Sequence, residues 1–138
     1  MTYASADDLR RPALGLPARA LEGVSPADLA DGLEAASRLA DSYLAGRYAL
    51  PLTAWGADLR WAVAAVAAYN LLAGRGFNPQ PGTADEQVRM RFEDALRWLR
   101  DAAAGRVTPT GVADSGPPGE ADGDAGEPVV ASDPPRGW

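Results

Sequence analysis

Apolar residues recur at helical spacing in three long segments, and the first of these follows a serine-proline pair. Ser25 in the N-cap position and Pro26 at the first helical position together predict a helix start. The apolar positions then recur every three or four residues, at Leu29, Leu33, Ala36, Ala40 and Tyr43. We expect this helix to run for about five turns and to end at Gly46, because glycine tolerates the backbone turn that closes a helix.

Two further helices are predicted downstream from the same signals. One spans roughly residues 57–73, carries a face of small alanines and has a stripe of Leu59, Val63, Val66 and Asn70. The other begins after Thr83, which is expected to form a capping box with Glu86, and it ends at Gly105. Its predicted buried positions are Val88, Phe92, Ala95, Leu96, Leu99 and Ala103.

The other segments before residue 107 are short. Ser5 followed by acidic residues predicts an N-terminal helix that stops at Pro12, and the proline- and glycine-rich residues 12–24 predict a packed loop. Beyond Gly46 the apolar positions alternate, at Tyr48, Leu50 and Leu52. The predicted fold class is all-α: a small helical bundle of three main helices, with a short N-terminal helix, a short extended segment after the first main helix and a long irregular C-terminal arm.

The composition changes abruptly at Thr108, where apolar periodicity gives way to glycine, proline and acidic residues. Residues 108–128 cannot bury enough apolar surface to offset their conformational entropy, so we predict a linker that follows a helical adaptor domain of residues 1–107. Apolar residues return afterwards, and we predict a docking peptide at residues 129–138 that a partner protein orders on binding. Its predicted contact residues are Val129, Val130, Pro134, Arg136 and Trp138.

Most of the negative charge belongs to this arm. The formal charge is −6, and six acidic residues with only Arg136 beyond residue 107 account for −5 of it. The nearly neutral body lacks the basic stripe that duplex binding needs, so we expect no sequence-specific nucleic-acid binding. In the third main helix the arginines alternate with acidic residues, which predicts a solvated face on which Glu93 pairs with Arg97.

The absence of cysteine and histidine limits the possible chemistry. It excludes disulfides, thiolate nucleophiles, imidazole acid–base catalysis and the usual zinc sites. An enzyme built on paired carboxylates is the remaining catalytic alternative, but the acidic residues form no visible convergent cluster. We therefore predict a non-enzymatic protein without a cofactor or metal. The most apolar run, residues 61–73, is too short to cross a bilayer, and we expect a soluble protein that is used without export.

The most distinctive segment is residues 41–52, which reads Asp-Ser-Tyr-Leu-Ala-Gly-Arg-Tyr-Ala-Leu-Pro-Leu. Its chemistry indicates a structural corner in which Arg47 caps carbonyl groups at the helix end. The segment closely resembles the hallmark of the Mu-like phage and prophage neck protein family. The motif residues are Tyr43, Leu44, Gly46, Arg47, Tyr48, Leu50, Pro51 and Leu52.

The resemblance extends in order along residues 3–107. Residues 3–9 are similar to the usual start of the family, and residues 88–107 resemble its last helix. The chain departs from the family between Pro12 and Leu16. It departs again in its longer arm, whose ending resembles the family's terminal peptide only loosely.

The resemblance implies a head-to-tail connector, an adaptor that forms a homo-oligomeric ring of about twelve subunits below the portal of a tailed phage. The implied partners are the portal protein and a downstream neck or tail protein, either a stopper or a tail terminator, and genome DNA passes through the ring. The implied location is the virion neck, after assembly in the cytoplasm of the bacterial host. The alternative is a small helical regulatory or partner-binding protein with a disordered arm that folds on binding.

Overall fold

The protein's structure, a computed structural model, describes residues 2–11, 21–73 and 82–112. Its helices there are α1 (Ala6–Leu9), α2 (Pro26–Leu44), α3 (Ala57–Ala73) and α4 (Ala84–Ala103). Those three ranges contain no strand, which confirms the predicted all-α fold. No helix in them combines the length and the apolar character that a bilayer span requires. The predicted docking peptide, residues 129–138, lies outside the described residues.

Helix α1 is short and is stabilised by the predicted cap. The Ser5 Oγ accepts a hydrogen bond from the Asp8 N–H at 3.4 Å, and the Asp8 carboxylate accepts one from the Ser5 N–H at 2.8 Å. Such a reciprocal cap satisfies two backbone donors that a helix start would otherwise leave open. The helix ends at Leu9, before Pro12, and Leu9 is fully buried.

Helix α2 begins as predicted but ends without a glycine turn. The Ser25 Oγ accepts from the Asp28 N–H at 3.1 Å, with Pro26 as the first helical residue. The last residue is Leu44, and Ala45 still has right-handed backbone angles. Gly46 does not have a positive φ, unlike Gly23, Gly82, Gly105 and Gly111. The expectation that Gly46 provides the backbone turn that ends the helix is therefore wrong. The helix ends before Ala45, and neither Ala45 nor Gly46 adopts a left-handed conformation.

Helix α3 is the central element of the bundle. Every residue from Ala62 to Ala68 is buried, and α3 contacts each of the other three helices. Small side chains allow this close packing. On α2, a Cβ built at Gly32 would lie 3.2 Å from the Leu71 Cδ2 of α3. Asn70, which was predicted to share the stripe of Leu59, is exposed in the last turn, where its amide remains solvated at no desolvation cost.

Helix α4 begins with a cap that differs slightly from the predicted one. The Thr83 Oγ1 accepts from the Glu86 N–H at 3.2 Å, but the Glu86 carboxylate accepts from the Gly82 N–H at 2.6 Å, one residue before the N-cap. Phe92 is half-buried and stacks on Tyr69 of α3 with ring centroids 4.0 Å apart. Ala102 is fully buried, whereas the predicted Ala103 and Leu96 are half-buried. The predicted positions Val88, Ala95 and Leu99 are buried.

The outer face of α4 is solvated as predicted, with a different pairing of charges. Arg89 pairs with Glu93 at 2.7 Å, and Arg97 pairs with Asp94 at 2.8 Å. The predicted pair of Glu93 with Arg97 is therefore wrong, because Glu93 pairs with Arg89 and Arg97 pairs with Asp94 instead. Exposed pairs of this kind contribute about 0 to 1 kcal/mol each, so this face adds little to stability.

Candidate partner-binding site

The family motif forms a corner at the C-terminal end of α2, and we call residues 45–52 the motif corner. The Leu44 carbonyl accepts from the N–H groups of Arg47 and Tyr48, both at 3.0 Å, which turns the chain back toward the bundle. Tyr48 and Leu52 are each 4 % exposed, while Pro51 is exposed. The predicted alternation of buried and exposed positions is therefore present in an irregular segment with a cis peptide bond between Leu50 and Pro51.

Arg47 lies over the turn that ends α4. Gly105 has φ +80°, and a Cβ built there would lie 2.8 Å from the Arg47 Cζ and 2.9 Å from one guanidinium nitrogen. Glycine is needed here for the left-handed backbone, and its missing side chain leaves room for the guanidinium. No described residue forms a hydrogen bond or an ion pair with the Arg47 guanidinium. The expectation that Arg47 caps helix-end carbonyls is therefore wrong, because its side chain crosses to Gly105 instead.

After α4 the chain packs across the loop between α2 and α3, and we call residues 104–112 the strap. The Thr110 N–H and Oγ–H donate to the two Asp58 carboxylate oxygens at 2.8 and 3.0 Å. Pro109 is fully buried. A Cβ built at Gly111 would lie 3.1 Å from the Gly56 nitrogen, so two backbones meet closely. Packed structure therefore continues to Val112, past the predicted boundary at residue 107.

Removing the Asp58 carboxylate should loosen this strap. We expect Asp58→Ala to lower the free energy of unfolding by about 1 to 2 kcal/mol, because the two hydrogen bonds from Thr110, the one from the Leu59 N–H and a favourable charge in the first turn of α3 are lost together. The control Asp94→Ala removes a carboxylate from an exposed pair, and we expect a loss below about 0.5 kcal/mol. Urea denaturation of both variants measures the difference, and equal losses would contradict the assignment.

The N-terminal segment is fastened to the same end of the bundle through Tyr3. Its N–H donates to the Ser37 Oγ at 2.9 Å, its hydroxyl donates to the Asp41 carboxylate, and its carbonyl accepts from the Trp55 Nε1–H at 3.0 Å. The rings of Tyr3 and Trp55 meet edge to face with centroids 4.7 Å apart. Tyr3 is 2 % exposed. This residue therefore links the N-terminal segment to α2 and to the loop that follows the motif corner.

Tyr3 predicts a specific pH dependence of stability. Burial and the hydrogen bond to Asp41 raise the pKa of Tyr3 to about 12 from 10.0. Because the folded-state pKa is raised, the stabilisation is fully present below pH 10 and is lost as the pH rises toward 12. We expect the difference in unfolding free energy between the wild type and Tyr3→Phe to shrink by roughly 2 to 3 kcal/mol over that window. Thermal melts at several pH values test this, and a difference that stays constant across the window would contradict it.

A groove of about 340 Å³ lies between the N-terminal segment and the start of α2. Its polar lining residues are Thr2, Ser5 and Arg10. Its volume is at the lower end of the roughly 300 to 1,000 Å³ typical of ligand pockets, so it fits one or two apolar side chains. The apolar lining residues are Ala4, Ala6, Pro26, Leu29, Ala30 and Leu33.

A neighbouring cleft of about 320 Å³ is mainly polar, and its charged side chains pair with one another. Its Asp8 carboxylate accepts from Ser5 and lies 3.1 Å from Arg11 and 3.9 Å from Arg60. The cleft therefore has one carboxylate, which lies beside two arginines, and it has no second acidic group for acid–base chemistry. No cluster of three or more metal-ligating side chains occurs in the part of the chain that the structure describes.

Long-range partners in this region could not be found from sequence spacing. Thr110 and Gly111 belong to a Thr-Pro-Thr-Gly stretch that was assigned to the linker. Asp58 resembles any acidic residue in the first turn of a helix. The predicted motif residues are contiguous in the sequence and lie at the end of α2 and in the motif corner, whereas the predicted contacts of the docking peptide lie outside the described residues. The candidate site therefore comprises the motif corner with the strap, together with the groove at the other end of α2.

Comparison with known proteins identifies the family. The profile of the family described as "Bacteriophage Mu, Gp36" matches residues 3–127. The chain is also 34% identical over 87 residues to the "Mu-like prophage FluMu protein gp36" of Haemophilus influenzae (strain ATCC 51907 / DSM 11121 / KW20 / Rd). That match covers 63% of this chain and 56% of the relative, so the chain spans little more than half of the relative's length. The chain belongs to the bacteriophage Mu Gp36 family.

Proposed function

We propose that this phage protein is a structural head-to-tail connector that forms a ring below the portal and joins the capsid to the next neck or tail component. The observation that supports it most is the family match across residues 3–127, which includes the motif corner and the strap. The role requires assembly contacts and no catalysis. It places the protein in the virion neck after assembly in the host cytoplasm.

The strap explains how such a subunit presents its C-terminal arm from a fixed point. Thr110 is held by Asp58, and Gly111 lies against Gly56, so the chain leaves the bundle beside the loop that follows the motif corner. The arm beyond has a length of 26 residues up to Trp138, which reaches up to roughly 90 Å when extended. A fixed origin and a long reach suit a contact with a partner across a symmetry boundary, where repetition around a ring adds avidity.

The charge distribution is compatible with a ring through which genome DNA passes. The body has nearly balanced charges, while the arm carries most of the net negative charge. A surface without a basic stripe does not hold a duplex by counterion release. The proposed partners are accordingly proteins: the portal through the docking peptide, and a stopper or a tail terminator on the far side of the ring.

Light scattering coupled to size-exclusion chromatography tests this proposal. The chain is measured alone and mixed with the portal protein from the same phage or prophage. The expected result is a complex whose mass corresponds to a ring of subunits on the portal, with about one subunit per portal chain. A regulatory protein would form no high-order ring in either sample, and that result would refute the connector role.

A further inference from the structure

The groove between the N-terminal segment and the start of α2 combines open apolar surface with a cation. Pro26 and Ala30 are exposed and Ala6 is half-buried, so apolar atoms of its lining face solvent. Arg10 is the charged residue among its described lining residues. It pairs with Asp7 at 3.5 Å, and this pair is weak because the two side chains are 56% and 91% exposed. The groove therefore fits an apolar side chain that has a carboxylate nearby.

One segment of the C-terminal arm has this chemistry in its sequence. Residues 127–133 read Glu-Pro-Val-Val-Ala-Ser-Asp, with apolar residues between two acids. Each acid precedes a proline, which favours extended backbone at that position. Side chains alternate along extended backbone, so the two acids share one face with two of the apolar residues between them. These four residues are Glu127, Val129, Ala131 and Asp133.

The arm starts close to the groove. Gly111 of the strap packs against the backbone of Trp55 and Gly56, and the Trp55 Nε1–H donates to the Tyr3 carbonyl. The residue after Tyr3 is Ala4, which lines the groove. Residues 113–128 span up to roughly 55 Å when extended, which is about twice the length of α2. The acidic segment can therefore reach the groove of its own subunit, where the linker gives it a high effective concentration.

We infer that residues 127–133 of the free subunit dock in the groove of the same chain, with Val129 and Ala131 in the groove and a flanking carboxylate on Arg10. The apolar contact is small and ordering the segment offsets much of it, so docked and undocked forms are expected in similar amounts. Docking covers Val129, which belongs to the peptide proposed to bind the portal, so the portal must displace it. This displacement rests on the proposed function, whereas the groove contact does not.

Paramagnetic relaxation in the intact chain tests the contact. The chain has no cysteine, so Ser132→Cys carries a single nitroxide on the face of the segment that points away from the groove. We expect stronger broadening of the backbone amides of residues 4–6 and 29–33 than of residues 93–97 on α4. Equal broadening of the two sets would overturn the inference. Groove broadening that is as strong between separately labelled chains would assign the site to a second copy and would also overturn it.

Substitutions test the chemistry of the site. Arg10→Glu is expected to reduce the groove broadening at least about twofold, and adding Glu127→Arg and Asp133→Arg should restore most of it. Val129→Lys should abolish the broadening, because it places a charge in the apolar groove. Arg100→Glu is the matched control, since it makes the same change in net charge at an exposed position of α4. Equal effects of Arg10→Glu and Arg100→Glu, or broadening that survives Val129→Lys, would overturn the inference.

Portal affinity tests the displacement. Arg10→Glu holds less of its arm in the groove, so we expect it to bind the portal protein about twofold more tightly than the wild type in biolayer interferometry. Unchanged or weaker binding would overturn the displacement. If the wild type shows groove broadening but binds no portal, the connector role falls and the groove contact stands. If it binds the portal without groove broadening, the groove contact falls and the connector role stands.

Discussion

Replacing Gly56 with alanine is expected to lower the free energy of unfolding by roughly 2 to 4 kcal/mol. A Cβ at this position would lie 2.4 Å from the Thr110 Oγ1 and 2.8 Å from the Thr110 carbonyl oxygen. The carbonyl belongs to the backbone of the strap, so the contact can be relieved only if the strap moves. That movement would also break the hydrogen bonds between Thr110 and Asp58.

Gly46 provides a matched control in the same region. A Cβ built there meets nothing within 4 Å, and its φ is not in the left-handed range. We expect Gly46→Ala to change stability by no more than about 0.5 kcal/mol, and in the stabilising direction, because alanine reduces the entropy of the unfolded chain. Chemical denaturation of both variants measures the two changes in the free energy of unfolding. Similar losses for the two variants would contradict the packing of the strap against Gly56.

Removing the arm is expected to abolish capture by the portal without unfolding the bundle. A chain that ends at Val112 keeps the strap, Pro109 and the Thr110 hydrogen bonds, so its stability should equal that of the wild type within about 0.5 kcal/mol. It lacks the docking peptide at residues 129–138 and should no longer bind the portal.

A chain that ends at Val107 separates the two roles of the C-terminal region. It loses the buried Pro109 and the hydrogen bonds of Thr110 as well as the arm, and we expect it to be less stable than the chain ending at Val112 by about 2 kcal/mol. Portal pull-down and thermal melts on both truncated chains test these expectations. Normal assembly of the chain ending at Val112 would refute the proposed role of the arm.

Local signals in the sequence predicted where the helices begin. Ser5, Ser25 and Thr83 each accept a hydrogen bond from the backbone three residues on, because a cap is determined by residues within one turn. Helix ends were predicted less well. Gly105 does adopt the left-handed conformation, but Gly46 does not, and composition does not distinguish a required glycine from a tolerated one.

Burial in α3 could be predicted only in part. A stripe through Leu59, Val63 and Val66 is present, yet Ala64 and Ala67 on other faces are equally buried. Periodicity identifies a buried face only when the opposite face is polar, and a helix surrounded by neighbours lacks that contrast. Asn70 has the spacing of the stripe but lies in the last turn of α3, where it stays exposed.

The candidate site depends on partners that are distant in the sequence. Tyr3 and Asp41 are 38 positions apart, and Asp58 and Thr110 are 52 apart, so no local pattern links them. The motif was visible because its residues are contiguous. The groove between residues 4–6 and 26–33 was not predicted, because it exists only once the N-terminal segment packs on α2.

Electron cryomicroscopy of the chain bound to its portal protein tests the central claim most directly. The account predicts a closed ring of subunits coaxial with the portal, with the peptide at residues 129–138 of each subunit on the portal. A map in which single copies bind the portal without touching one another, or in which the chain is absent from the neck, would contradict the connector role.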